Sequence, residues 1–115
     1  MRSSATIDTL ELAGAASGRT PFQCVLRVHI EFSDGVTTWD DDLLLTARSA
    51  KRGEPPVRSG VPRWHDRALI LPTWDPASAV AAVELLRTSA PTDSWDAFRN
   101  HFLRFLDPEP LPEEL

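Results

Sequence analysis

The sequence contains a single cysteine, Cys24, so no disulfide can form within the chain. Small domains that depend on disulfides carry several cysteines, and this shortage favours a core-stabilised domain in a reducing compartment. There is no apolar run approaching the roughly 20 residues of a membrane-spanning helix. The first residues also carry no apolar run of signal-peptide length. These absences predict a cytoplasmic protein that does not enter a membrane.

Tyrosine is absent and lysine occurs once, whereas arginine occurs eleven times. This bias is typical of a GC-rich, bacterial coding sequence. The five glycines do not form the pattern of a phosphate-binding loop, and no metal-ligand pair at standard spacing or nucleophile elbow occurs. The sequence therefore predicts no cofactor, no metal and no catalytic residue, and it disfavours an enzyme.

The composition is that of an ordinary globular protein, with 42% hydrophobic and 25% charged residues. The chain of 115 residues is long enough for one domain with its own hydrophobic core. A net charge of −5 disfavours a general attraction to nucleic acid or to anionic lipid. We expect a single domain over residues 1–107, followed by an acidic, proline-rich tail over residues 108–115.

Residues 22–47 carry the clearest structural pattern in the chain. From Phe22 to Phe32 every second residue is apolar, and Cys24 is one of them. This alternation predicts a strand with one face on the core. Asp34 and Gly35 favour a two-residue type I′ turn, so we expect a tight hairpin with a second strand.

A two-residue turn also predicts which residues lie opposite each other. It places Ile30 opposite Trp39 on the core face, and it pairs bases with acids on the outer face (His29 with Asp40, Arg27 with Asp42). Such cross-strand pairs contribute about 0.2–1 kcal/mol each. Asp41 would then point towards the core, so we expect a bulge or a frayed ladder at this position.

The other elements are predicted from shorter signals. Ile7–Ala13 and Ala68–Leu71 have the pattern of strands. Asp75 as N-cap and Pro76 at the first helical position begin a helix, and a second helix is capped by Thr92 or Asp93. In the second helix large apolar residues recur every three or four positions and form one face, made up of Trp95, Phe98, Phe102, Phe105 and Leu106. Asp107-Pro108 is predicted to end this helix. Strands first and helices last predict an α+β fold, an antiparallel sheet of about four strands with both C-terminal helices packed on one face.

Residues 48–67 have a different character. They include two glycines and three prolines, enough to exclude a regular element, and loops of this length are often functional. Six basic residues against two acidic ones give the segment a net charge of +4, whereas the rest of the chain is acidic. We interpret it as a long basic loop on an acidic body.

The candidate binding residues lie in this loop and are Arg52, Arg58, Arg63, Trp64 and His65. Arginines can contact phosphates while an indole stacks on a base, which supports binding to nucleic acid as one alternative. The same side chains can dock on an acidic protein or on a second copy of the chain. The net charge of the whole protein disfavours the nucleic acid.

Two groups of residues resemble catalytic or metal sites. His65 precedes Asp66, but adjacent residues of an extended chain point in opposite directions and need not form a dyad. His29 faces the run Asp40–Asp42, but three successive strand residues do not converge on one cation. A small enzyme with a pocket between the sheet and the helices, using His65 and Asp66 or His29, is kept as an alternative.

The function predicted from the sequence is that of a non-enzymatic protein-binding module, such as an inhibitor, an immunity-type protein or an adaptor. Three of the four tryptophans, Trp39, Trp64 and Trp74, lie near predicted strand ends or loops, where interface anchors often occur. Trp64 also fits a role in anchoring the basic loop to the core. A basic toxin or nuclease is the kind of partner that an acidic body suits, and a homodimer is compatible with the same surface.

Overall fold

The computed structural model describes residues 2–7, 21–55 and 63–108. Its elements, in chain order, are β1 (Arg2–Ile7), β2 (Gln23–Ser33), β3 (Thr38–Arg48), β4 (Arg63–His65), β5 (Ala68–Ile70), α1 (Pro76–Ser89), α2 (Trp95–Leu103) and β6 (Asp107–Pro108). The strands form one sheet in the order β1-β2-β3-β5-β4, and β6 pairs with β3. Every pairing is antiparallel except that of β3 with β5. The predicted α+β class is confirmed, with more strands than the four expected.

The central hairpin of β2 and β3 has the predicted faces but a different register. Ser33 pairs with Thr38 and Ile30 with Asp41, a shift of two residues from the prediction, which was wrong. The cause is a four-residue turn over residues 34–37. The Asp34 Oδ1 atom accepts hydrogen bonds from the backbone N–H groups of Val36 and Thr37, both at 2.8 Å, and so stabilises the longer turn. Because the shift is even, the same side chains still face the core.

The bulge predicted at Asp41 does not form, because β2 and β3 pair without interruption. Asp41 lies on the core side of β3, where its Oδ2 accepts a hydrogen bond from Arg99 Nε of α2 at 2.6 Å. On the outer face the new register places His29 opposite Asp42. The inward-pointing carboxylate is therefore satisfied by a partner on a distant helix.

Both helices begin at capping residues. Asp75 accepts a hydrogen bond from the Ala77 N–H at 3.1 Å, and Pro76 occupies the first turn as predicted. The cap of α2 is Ser94, whose Oγ accepts from the Ala97 N–H at 3.1 Å, and is not Thr92 or Asp93. The sequence signal was ambiguous because four successive residues, from Pro91 to Ser94, favour a helix start.

The chain leaves α2 earlier than predicted. The helix ends at Leu103, and Asp107-Pro108 returns to the sheet as β6, paired with Leu43 and Leu44 of β3. Pro108, predicted as the start of the tail, is thus part of the sheet, while residues 109–115 lie outside the described ranges. A proline is tolerated at such an edge position because only one side of the strand is paired.

The core lies between one face of the sheet and the two helices. It is formed by apolar side chains of β2 and β3 (Phe22, Cys24, Leu26, Val28, Ile30, Phe32, Leu43, Leu45, Ala47) and of the helices (Ala79, Ala82, Val83, Leu86, Phe98, Phe102). Burying a large apolar side chain contributes about 1.5–3 kcal/mol. Trp74 is only 1% exposed, so this tryptophan belongs to the core and not to an exposed strand end.

The predicted basic loop contains regular structure near its end. Arg63–His65 forms β4, which pairs with β5 through a turn at Asp66 and Arg67. Both turn residues have positive φ angles, 49° and 61°, as a type I′ hairpin turn requires. The turn was missed because neither residue is glycine or asparagine.

The first strand also differs from its prediction. β1 covers Arg2–Ile7, whereas the predicted strand was Ile7–Ala13, of which residues 8–13 lie outside the described ranges. None of the helices within residues 2–7, 21–55 and 63–108 is long and apolar enough to cross a bilayer.

Candidate functional site

The β2–β3 hairpin divides the protein into two ends. Each strand has eleven residues, which corresponds to about 33 Å at roughly 3.3 Å per residue. We call the end that carries residues 34–37 and the start of α2 the turn end. We call the opposite end, which carries residues 49–55 and the β4–β5 hairpin, the loop end. The candidate residues Arg52, Arg63, Trp64 and His65 lie at the loop end.

The structure places these candidates in different environments. Arg52 is exposed in the turn that follows β3. Arg63 is half-buried, and its Nη1 donates to the backbone oxygen of Pro55 at 2.8 Å. His65 is exposed, whereas Arg58 lies outside the described residues. Arg63 is thus already engaged by the protein's own backbone.

Trp64 is separated from its sequence neighbours by the alternation of the strand. Its half-buried ring packs against Phe105, with the ring centroids 5.1 Å apart, while Arg63 and His65 lie on the opposite face of the sheet. The indole anchors the loop end to Phe105, in the turn that follows α2, as the sequence suggested. The structure does not present Trp64 together with the arginines as one surface.

A buried ion pair occupies the centre of the loop end. Arg48 is almost fully buried and donates two hydrogen bonds to the Glu54 carboxylate, at 2.7 and 3.0 Å. The backbone N–H of Lys51 donates to the same carboxylate at 2.5 Å. The Arg48 guanidinium and then the Lys51 N–H lower the pKa of Glu54 to about 2, and the same pair raises the pKa of Arg48. Arg48, the most deeply buried arginine of the described residues, therefore stabilises the loop and is not available to a ligand.

The remaining charges of the loop end are also mostly paired. Arg67 Nη1 lies 2.9 Å from Asp107 Oδ1, and His65 Nε2 lies 3.3 Å from Asp66 Oδ2. A polar cleft of about 220 Å³ beside them is lined by basic and acidic residues together. Within the described part of this segment, only Lys51 and Arg52 are basic side chains without a hydrogen-bonding partner. The net charge of +4 already includes Glu54 and Asp66, and among the described residues Asp107 is the acid from outside the segment that pairs with one of its arginines.

His29, the other candidate for chemistry, and Cys24 both lie in environments that fit a structural role. His29 Nδ1 lies 2.8 Å from Asp42 Oδ1 on the outer face of the sheet, and its Nε2 lies 3.6 Å from Asp40 Oδ2. No group of three His, Cys, Asp or Glu side chains within the described ranges is arranged to hold a metal ion. Cys24 is buried, which raises the pKa of its thiol and keeps it protonated and unreactive.

The turn end carries a cleft that the sequence did not indicate. It has a volume of about 290 Å³ and lies between the hairpin and the start of α2. We call it the aromatic cleft, and its lining residues are Phe32, Asp34, Trp39, Asp93, Ser94, Trp95 and Asp96. Trp39 and Trp95 are half-buried, so each presents part of its indole at the surface.

The two tryptophans are held in place by buried phenylalanines. The ring centroids of Trp39 and Phe32 lie 5.9 Å apart, those of Phe32 and Phe98 5.5 Å, and those of Phe98 and Trp95 6.3 Å. Phe32 and Phe98 are both fully buried. Aromatic pairs at these separations add about 0.5–1.5 kcal/mol beyond burial. The walls of the aromatic cleft are thus continuous with the core and preorganised.

The charge of the aromatic cleft is entirely negative. Asp34, Asp93 and Asp96 lie on its rim, and no basic residue of the described ranges lines it. Hydrogen bonds from the N–H groups of Thr37 and Val36 lower the pKa of Asp34. Arg99 follows one turn after Asp96, but its guanidinium is bound to Asp41.

Sequence reasoning missed this site because its parts are remote in the chain. Trp39 and Trp95 are separated by more than fifty residues, and Trp95 was interpreted only as part of the buried face of α2. One signal was present, since Trp39 lies at a strand end where interface anchors occur. The approach of α2 to the hairpin turn was not encoded in any local pattern.

Comparisons of the chain with protein-family models, with curated proteins and with solved structures found no match in any of the three.

Proposed function

We propose that the protein is a non-enzymatic protein-binding module whose partner docks at the turn end. The observation that supports this most is the aromatic cleft, in which two half-exposed tryptophans rest on buried rings. Tryptophan is among the residues that most often dominate binding energy, especially in preformed pockets surrounded by polar groups. Inhibitor, immunity-type and adaptor roles all use such a surface.

The neighbourhood of the cleft extends the apolar contact. Val36 at the tip of the hairpin turn is 94% exposed, and it directly follows the turn residues Asp34 and Gly35. A single exposed valine is common on protein surfaces, but this one lies in the same turn as Asp34, which lines the aromatic cleft. An apolar centre with a polar border is the usual anatomy of a protein interface.

The alternative of an enzyme at His65 and Asp66 has less support. Asp66 is 88% exposed, whereas catalytic groups are usually desolvated so that their pKa values shift. The space between the sheet and the helices, where the alternative required a pocket, is filled by core side chains. The His29 site is a set of ion pairs on an open sheet face.

Binding to nucleic acid through residues 48–67 also has less support than binding to a protein. Arg48 and Arg63 are engaged within the protein, and Trp64 packs on Phe105. Within the described ranges, Lys51 and Arg52 are the basic side chains that this alternative leaves for phosphates. It predicts an affinity that falls steeply with salt, which a titration with a single-stranded oligonucleotide would reveal.

For the compartment and the oligomeric state, the proposal keeps the predictions made from the sequence. We propose a cytoplasmic location, with which the buried and unpaired Cys24 is compatible. A homodimer remains compatible with the same surface, since a second copy can also present basic side chains such as Arg52.

Affinity capture with matched variants tests the proposal. The protein, Trp95→Ala and Trp64→Ala are immobilised and exposed to extract from the native cell, after circular dichroism has shown that each is folded. We expect a partner that binds the unchanged protein and Trp64→Ala but is lost from Trp95→Ala. A hot-spot residue worth about 2 kcal/mol corresponds to about 30-fold in affinity. Capture that is equal on all three columns, or lost only with Trp64→Ala, would contradict docking at the turn end.

A further inference from the structure

We infer that the aromatic cleft receives an arginine side chain of the partner, with its guanidinium against the indoles of Trp39 and Trp95 and facing the aspartates. This inference rests on the proposed function, because it names the chemistry of the partner at the same site. It is carried by three properties of the cleft, which are its charge, its aromatic walls and its size.

The charge of the cleft requires a cation. Three aspartates line the cleft without a basic residue among them, and two backbone N–H groups stabilise the ionised carboxylate of Asp34. The start of α2 contributes a partial positive charge of about half a unit, which three full negative charges outweigh. An apolar side chain placed here would desolvate carboxylates without compensation.

The aromatic walls favour arginine over lysine. A guanidinium is planar, stacks on indole faces and donates in a fork that fits a carboxylate. A lysine ammonium is a strongly hydrated point charge and gains less in a cleft that stays open to water. Because Trp39 and Trp95 are each packed against a buried phenylalanine, their indoles need little further ordering when a guanidinium binds.

The size of the cleft suits a single side chain. Its volume of about 290 Å³ lies just below the range of about 300–1,000 Å³ that small-molecule and cofactor sites occupy. A partner that inserts one arginine and covers the surrounding surface, including Val36, fits these dimensions.

The protein's own arginine is held away from the aspartates. Arg99 lies on α2 three residues after Asp96, a spacing at which the two side chains can pair. Its Nε instead donates to Asp41 Oδ2 at 2.6 Å. The ion pair with Asp41 therefore preserves the negative charge of the cleft for a cation from outside.

The experiment uses three short peptides that differ at one position, acetyl-Gly-Arg-Gly-amide and its citrulline and lysine counterparts. Citrulline has the shape of arginine without the charge. The indole N–H resonances of Trp39, Trp64, Trp74 and Trp95, assigned with Trp→Phe variants, report the place of binding during the titration. We expect saturable shifts of Trp39 and Trp95 only, an affinity for the citrulline peptide at least tenfold weaker, and intermediate binding of the lysine peptide.

Matched variants separate the contribution of charge from that of folding. The double variant Asp34→Asn with Asp96→Asn should weaken the arginine peptide about tenfold, whereas Asp66→Asn at the loop end should leave its affinity unchanged. Equal binding of the citrulline peptide, shifts that include Trp64, or no saturable shift at all would overturn the inference. If the peptide fails but Trp95→Ala still loses the captured partner, the proposed function stands and the arginine does not. If the peptide binds but Trp95→Ala keeps the partner, the proposed function fails instead.

Discussion

The two ends of the β2–β3 hairpin treat their charged side chains in opposite ways. At the loop end, charges are paired with one another, as in Arg48 with Glu54 and Arg67 with Asp107. At the turn end, aspartates share a cleft that no described basic residue lines. The net charge of a segment in the sequence therefore does not show which of its charged side chains are available for binding. In the segment of highest positive charge, most of the described charged side chains are engaged within the protein, whereas the aspartates of the turn end line an open cleft.

The largest expected effect tests how far the aromatic cleft depends on the core. Phe98→Ala removes a fully buried ring that lies between Phe32 and Trp95, so we expect a loss of about 3–5 kcal/mol in the free energy of unfolding. The matched change Phe105→Ala, at a half-buried ring of the loop end, should cost less. Urea denaturation measures both, and a larger loss for Phe105→Ala would contradict the location of the core.

The next effect concerns the pH dependence of the loop end. The pKa of Glu54 is lowered to about 2 in the folded protein from 4.5, so the unfolded state binds more protons between these pH values. The stabilisation by Glu54 is complete above about pH 4.5 and is lost as the pH falls towards 2. We expect Glu54→Gln to remove this part of the decrease, as measured by urea denaturation at a series of pH values. If the free energy of unfolding of Glu54→Gln falls at acidic pH as steeply as that of the unchanged protein, Arg48 does not hold the carboxylate.

Each hairpin turn has a residue with a positive φ angle, so we expect glycine to be the more stable residue in both turns. Gly35 at the turn end has φ 95° with open space around it, so Gly35→Ala should cost about 1–2 kcal/mol through backbone strain alone. Arg67 at the loop end has φ 61°, and Arg67→Gly relieves a strain of about 1–2 kcal/mol. Glycine also raises the entropy of the unfolded chain, so the net stabilisation should be up to about 1 kcal/mol, less whatever the ion pair with Asp107 contributes. Calorimetric melting temperatures check both signs, since 1 kcal/mol corresponds to about 4 °C.

The change with the smallest expected effect on stability, at Asp41, gives the most direct test of the difference between the two ends. Asp41→Ala breaks an ion pair that is about one-third exposed, so the free energy of unfolding should fall by less than about 1 kcal/mol. The released Arg99 can then pair with Asp96, and the arginine peptide should bind several-fold more weakly. Asp107→Ala releases Arg67 at the loop end and is the matched control. Equal affinity in both variants would show that Asp41 does not protect the cleft.

Several local features were predictable because each depends on neighbours in the chain. The alternation from Phe22 to Phe32 predicted the core face of β2, and Asp75 with Pro76 predicted the start of α1. The register of the hairpin was not predictable in this way. A two-residue turn and a four-residue turn place the same faces inward, and only the hydrogen bonds of Asp34 distinguish them.

The candidate site was less predictable than the fold. The sequence directed attention to residues 48–67, because basic and breaker residues cluster there. It could not show that Glu54 folds back on Arg48, or that β4 turns Trp64 away from Arg63 and His65.

The sequence by itself determined the faces of the long strands, the start of α1 and the apolar face of α2, because these depend on periodicity and capping between residues close in the chain. The tertiary structure alone decided which charges are paired and where the aromatic cleft lies. It did so because α2 docks beside residues 34–37 and brings Trp95 and Asp96 to Trp39 and Asp34. Contacts between such distant residues depend on the packing of whole elements, which no local pattern specifies.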